Sequence, residues 1–114
     1  ISNSTAADTN RVLEMILQVK QNYPNIIMII GGQAATVRYK DCLNSGCSVV
    51  VRGEGEYSFR EVIDRINQDS KDFSDIQGVS YLKEGQFVNS SNRKLIENLD
   101  QLPFPRWELM PRFK

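Results

Sequence analysis

A chain of 114 residues suits one domain with a single modest core, and its 40% hydrophobic and 25% charged residues fall in the ordinary globular range. Lys plus Arg equals Asp plus Glu at 14 each and the basic residues form no run, which argues against a nucleic-acid partner and against an anionic membrane surface. No apolar stretch approaches the roughly 20 residues that span a bilayer, and no basic-then-apolar leader opens the chain, so it reads as soluble and cytoplasmic.

The first residue is Ile1 rather than Met and falls inside what reads as a short strand, so the chain is expected to belong to something longer. Asp8 and Thr9 are candidate N-caps for a helix to about Asn22, with Val12, Leu13, Ile16, Leu17 and Val19 as its apolar stripe. Tyr23-Pro24-Asn25 stops it, because proline cannot continue a helix. Ile26 to Ile30 is an unbroken, mostly β-branched run, the pattern of a strand buried on both faces of a parallel sheet, and Gly31-Gly32 ends it. Thr36 to Asn44 is weakly helical and stops at Ser45-Gly46. Ser48 to Val51 is a second buried strand, followed by Arg52-Gly53-Glu54-Gly55-Glu56. A helix from about Tyr57 to Gln68 carries Phe59, Val62, Ile63 and Ile66 on one face.

This order of elements predicts an α/β, three-layer, Rossmann- or flavodoxin-like parallel sheet, present only in part. Two parallel strands make no stable sheet alone, so the remaining strands are expected upstream of Ile1. After Ile76 the pattern changes. Gly78 to Lys83 and Gln86 to Asn89 alternate around Glu84-Gly85, which predicts a β-hairpin with a type I′ turn. Leu95 to Arg112 carries three prolines and little periodicity, and reads as an extended linker lying on a neighbouring domain.

The chemistry available is narrow. With no histidine, the chain lacks the commonest general base and metal ligand. Cys42 and Cys47 have no further thiolate or imidazole to complete a zinc or iron–sulfur site, and are expected as small buried filler. In an open parallel sheet, ligands sit beyond the carboxyl ends of the strands. That rule selects three loops, Ser2 to Thr5, Gly31 to Thr36 and Gly53 to Glu56, all rich in Gly, Ser or Thr. Each has a plainer reading. Gly31-Gly32 could be a simple turn, Ser2, Ser4 and Thr5 could cap the first helix, and Glu54 and Glu56 could be solvated acids at a helix N-terminus. Phe104 and Trp107 read as docking anchors, since no basic groove accompanies them.

Ile29-Ile30-Gly31-Gly32-Gln33-Ala34-Ala35-Thr36 resembles the strand-Gly-Gly-x-x-x-Thr signature of cobalamin-binding domains in radical S-adenosylmethionine enzymes. Val50 to Glu56, followed by Phe59 and Glu61, resembles their V-x-R-G-E-G-E-x-x-F-x-E segment, and Leu102-Pro103-Phe104-Pro105 resembles the lead into their radical-generating barrel. The subgroup resembled includes the anaerobic magnesium-protoporphyrin IX monomethyl ester oxidative cyclase and cobalamin-dependent methyltransferases.

That resemblance implies a cobalamin across the carboxyl edge of the sheet. Ser2, Ser4 and Thr5 would border its nucleotide tail, Gly31 and Gly32 would admit it, Gly53 and Glu54 would flank it, and Thr36 would offer a hydroxyl nearby. It further implies a division into residues 1–76 as the C-terminal part of the cobalamin-binding domain, 77–98 as a hairpin extension, and 99–114 as a linker to a radical-generating barrel of the same parent chain. The iron–sulfur cluster and S-adenosylmethionine would belong to that barrel, because the Cys-x-x-x-Cys-x-x-Cys triad is absent here. Where the family often has a histidine, two residues before the threonine, this chain has Ala34, and the Asp-x-His-x-x-Gly loop that supplies a lower cobalt ligand is also missing. The piece is therefore expected to be non-catalytic alone. Two other readings stay open: an interaction module that keeps the fold without the cofactor, and a nucleotide-binding half-domain. The latter lacks both Gly-x-Gly-x-x-Gly and a Walker lysine.

Overall fold

The computed structural model describes residues 1–111. Its backbone is organised by one four-stranded sheet in the order β1-β2-β3-β4. β1 (Ile29–Gly31) and β2 (Val49–Val51) run parallel, with Ile30 opposite Val50 and Gly31 opposite Val51. β3 (Val79–Lys83) is antiparallel to β2, and β4 (Gln86–Asn89) is antiparallel to β3. The hairpin thus continues the sheet, covering the edge of β2 that would otherwise stay open. On the far side of β1, Ser2 forms a parallel bridge to Gly31, and the amide of Gly31 donates to the carbonyl of Ile1 (3.0 Å).

Alternation across β2 sorts the core into two layers, as a sheet covered on both faces requires. Ile30 and Val50 face α1 (Thr9–Asn22) and α3 (Tyr39–Asn44), where Ile16, Cys42 and Leu43 are buried. Val49 and Val51 face α4 (Glu56–Asn67), with Val62, Phe73, Ile76, Val79 and Tyr81. The three-layer α/β expectation holds, with helices on both faces. No described helix is long and apolar enough to cross a membrane.

Several elements differ from the sequence expectation. Ile26 and Ile27 lie outside the strand and are 45% and 40% exposed. A strand extends only as far as its partner: Cys47 and Gly46 turn away before Val49, so nothing pairs with residues 26 and 27. Gly31 is the last residue of β1 rather than its terminator. The weak helix is two short ones, α2 (Gln33–Val37) and α3, broken at Arg38, whose side chain holds Asp41 (2.7 Å) and Asn10 (2.9 Å). In α1, Leu17 is exposed, and Asp8 occupies the N-cap position without a capping bond. Phe59 in α4 is also half-exposed, against the expected apolar face. The expected hairpin and its turn are present, with Glu84 at φ 51° and Gly85 at φ 78°, both left-handed as type I′ demands. α3 also braces this hairpin, since Tyr39 packs edge-on to Phe87 and its hydroxyl accepts from Asn89 (2.8 Å).

The segment after β4 contains 3₁₀ turns at Leu99–Gln101 and Trp107–Leu109, and Phe104 and Trp107 are 93% and 68% exposed. The final three residues of the expected linker lie outside the described residues.

Candidate functional site

Because β1 and β2 are parallel, the loops leaving them emerge at one rim, and Ser2 to Thr5 joins them there. The amide of Gly53 donates to Thr36 Oγ1 at 3.3 Å, which brings the second and third loops within bonding distance. A cleft of about 300 Å³ opens at this rim. Ile1 and Ser2, Ile29 to Gly32, and Val51, Gly55, Glu56 and Phe59 border it. That size lies at the low end of the roughly 300–1,000 Å³ typical of ligand sites. The cleft is open enough to take part of a large ligand but not to enclose one.

The candidate residues divide by what already occupies them. Ser2, Gly31 and Gly32 line the cleft. Gly53 stands on the rim at φ 69°, with nothing within 4 Å of where a Cβ would be. Gly32, by contrast, is filled by the chain itself: a Cβ there would lie 2.4 Å from the carbonyl oxygen of Asn3. Its lack of a side chain answers to this internal contact. The space beside Gly31 is likewise met by Val51, whose oxygen is 3.4 Å from the Cβ position.

Hydroxyls and the acid are largely committed. Thr36 Oγ1 donates to the Gly32 carbonyl (3.0 Å) while accepting from Gly53, so it has no proton left to offer a ligand. Thr5 Oγ1 donates to the Asp8 carboxylate (2.8 Å), a local bond at the start of α1. Ser4 is exposed and outside the cleft. Glu54 is not a free solvated acid, since its Oε2 accepts from the amide of Ile96 at 2.6 Å.

Sequence reasoning missed three residues: Asn3 at the rim, and Arg52 and Arg93, which tie the segment after β4 to the end of β2 and to α4. Asn3 is 2% exposed; its amide donates to the Gly31 carbonyl (2.8 Å) and its Nδ2 to Thr9 Oγ1 (3.2 Å). Nothing distinguishes it in a polar cluster read as sequence. The guanidinium of Arg52 donates to Asn92 Oδ1 (2.7 Å) and to the carbonyls of Val79 (3.3 Å) and Ser90, while its buried Nε has no partner among the described residues. Arg93 donates to Glu61 and, through Nε, to Ser58 Oγ (2.9 Å). These partners lie some 30 to 40 positions apart in sequence, beyond any local pattern.

Cys42 and Cys47 are free and buried, on the α1 and α3 face of the sheet. Burial is the main reason both thiols titrate high; Cys47, with Cys42 beside it, is pushed up to about 12. Neither is a nucleophile near neutral pH. Among the described residues, no group of three or more His, Cys, Asp or Glu could hold a metal ion.

Three curated relatives share most of this chain. An uncharacterized methyltransferase of Pyrococcus horikoshii is 33% identical over 96 residues, covering 79% of this chain and 20% of its own. The anaerobic magnesium-protoporphyrin IX monomethyl ester cyclase of Synechocystis is 27% identical over 111 residues, covering 96% and 22%. The cobalamin-dependent radical SAM methyltransferase TokK of Streptomyces tokunonensis is 28% identical over 97 residues, covering 83% and 14%. The chain therefore spans about a fifth or less of the length of each. A family described as "B12 binding domain" matches residues 1–63, the stretch that supplies the parallel strands and all three rim loops. With the cleft at the carboxyl ends of those strands, this match over more than half of its length places the chain in the B12-binding domain family.

Proposed function

We propose that this chain holds a cobalamin for a radical S-adenosylmethionine enzyme of the methyltransferase or cyclase type, working beside a barrel domain of the same protein. The observation that carries this reading is the cleft at the carboxyl rim of two parallel strands, within the stretch that matches the B12-binding family. Ser2, Gly31, Gly32 and Gly55 border the cleft and would contact the cofactor there, and Phe59 would give an apolar wall. The opening at Gly53 leaves room above the rim for the broad part of a ligand too large for the cleft itself. Bound there, cobalamin supplies cobalt-centred group-transfer or radical chemistry, while the protein supplies binding and orientation. No histidine of this chain can ligate the cobalt from below. The iron–sulfur cluster and S-adenosylmethionine belong on this reading to the barrel, which residues 99–114 approach after the 1–76 and 77–98 parts. Exposed Phe104 and Trp107 are suited to dock on it. Two buried free thiols suit a reducing, cytoplasmic setting.

A second reading, a module that keeps the fold but binds no corrinoid, draws on Gly32, Thr36 and Glu54 having internal partners. An absorbance titration with hydroxocobalamin separates the two. The cofactor reading expects a saturable change in the corrinoid spectrum. Phe59→Ala, made at a half-exposed position, is then expected to weaken binding about tenfold without lowering the melting temperature. A spectrum that stays that of free hydroxocobalamin would leave the interaction module.

A further inference from the structure

The segment Arg52-Gly53-Glu54-Gly55-Glu56, with Phe59 and Glu61, sits at the cleft, yet three of its charges point away from it. All three reach residues 90–96, the stretch by which the chain leaves the sheet. Arg52 donates to the Ser90 carbonyl and to Asn92 Oδ1 (2.7 Å), Glu61 accepts from Arg93, and Glu54 accepts from the amide of Ile96 (2.6 Å). The same loop is tied on its other side to the rim. Gly53 donates to Thr36 Oγ1 (3.3 Å), which donates to the Gly32 carbonyl (3.0 Å), and Asn3 donates to the carbonyl of Gly31 (2.8 Å). A continuous path of bonds thus runs from Ile96 across the rim to Asn3.

We propose that Arg52, Glu54 and Glu61 are positioning residues that fasten the departing segment 90–96 to the floor of the cleft, so that filling the cleft orders that segment. The loop between the two tethers carries Gly53, whose Cβ position meets nothing within 4 Å, and Gly55, which borders the cleft. A ligand resting against Gly55 restrains that loop further, and Glu54 passes the restraint to Ile96, which does not itself line the cleft. The following domain would then be held in place only when the cleft is full. That the occupant is a corrinoid rests on the reading given above.

Hydrogen–deuterium exchange on the full chain, read at the amides of Gly53 and Ile96 with hydroxocobalamin as probe, tests this. In the wild type, saturating probe is expected to slow Ile96 about tenfold, in line with a bond to a charged acceptor. In Glu54→Ala the probe should slow Gly53 but not Ile96, and by reciprocity it should bind more weakly. Glu54→Gln keeps an oxygen that can accept from Ile96 and should restore the effect. A bound probe that leaves Ile96 unchanged in the wild type overturns the proposal, as does unaltered transmission in Glu54→Ala. If no absorbance change shows binding, the corrinoid reading fails separately. The fastening is then judged on the chain alone, where Glu54→Ala must speed exchange at Ile96 and Gly53 together; a rise at Ile96 by itself refutes it. Should circular dichroism show Glu54→Ala unfolded, Glu54→Ser, whose shorter side chain cannot reach the amide of Ile96, is read in the same way.

Discussion

An alanine at position 32 would meet two obstacles at once, a φ of 108° and the Asn3 carbonyl 2.4 Å from its Cβ. Gly32→Ala is therefore expected to cost about 2–5 kcal/mol of stability, the sum of a left-handed backbone and an overpacked contact. Gly53→Ala, at φ 69° with open space around it, should cost only about 1 kcal/mol. Urea unfolding of the two variants compares these directly; equal losses would mean that the Asn3 contact is not formed. The glycine pair is visible in the sequence, but its reason is not, because Asn3 is nearly thirty residues away. The thiols give a pH prediction. In the unfolded chain they ionise near their ordinary value of 9.0, whereas burial pushes Cys47 up to about 12 in the fold and raises Cys42 as well. The stabilising contribution of Cys47 is complete below pH 9 and is lost as pH climbs toward 12, because only the unfolded state releases that proton in the interval, and Cys42 acts in the same direction. Urea midpoints should fall across this range, and less steeply in Cys47→Ala. A midpoint as steep in the variant would point to other groups.

Among the elements, the hairpin was the most legible, since its turn chemistry lies in two adjacent residues. Glu84 adopts φ 51° as a residue poorly suited to it, while Gly85 at φ 78° is well suited. Glu84→Asn is expected to stabilise the protein by about 0.5 kcal/mol, read as a rise in melting temperature; a loss would show that Glu84 makes a compensating contact. The run Ile26 to Ile30 shows the opposite case. Its composition announces a strand, but how far the strand extends is decided by β2, which offers no partner before Ser48. Likewise the break at Arg38 falls at a side chain that bonds Asn10, 28 residues earlier, as well as Asp41 nearby, and the distant partner is not legible in residues 36–44.

At the scale of the molecule, the parallel order of β1 and β2 and the shared rim were readable, because buried β-branched runs joined by helices leave few other topologies. What was not readable is that the hairpin joins the same sheet and that the chain after it returns to the rim, since both depend on pairings between distant residues. The aromatic side chains near the end give a simple check on the described chain. Trp107, 68% exposed, should emit as indole in water in the native state, with little shift on unfolding in urea; a blue-shifted native emission would mean that something covers it. The tie between Glu54 and Ile96 has a practical corollary for transplanting this unit into another protein. The family match stops at residue 63, and the division implied by the resemblance falls at 76, yet Arg52, Glu54 and Glu61 find their partners between residues 90 and 96. A graft trimmed at either earlier border would carry three charges stripped of their counterparts, so the smallest portable piece runs through Ile96.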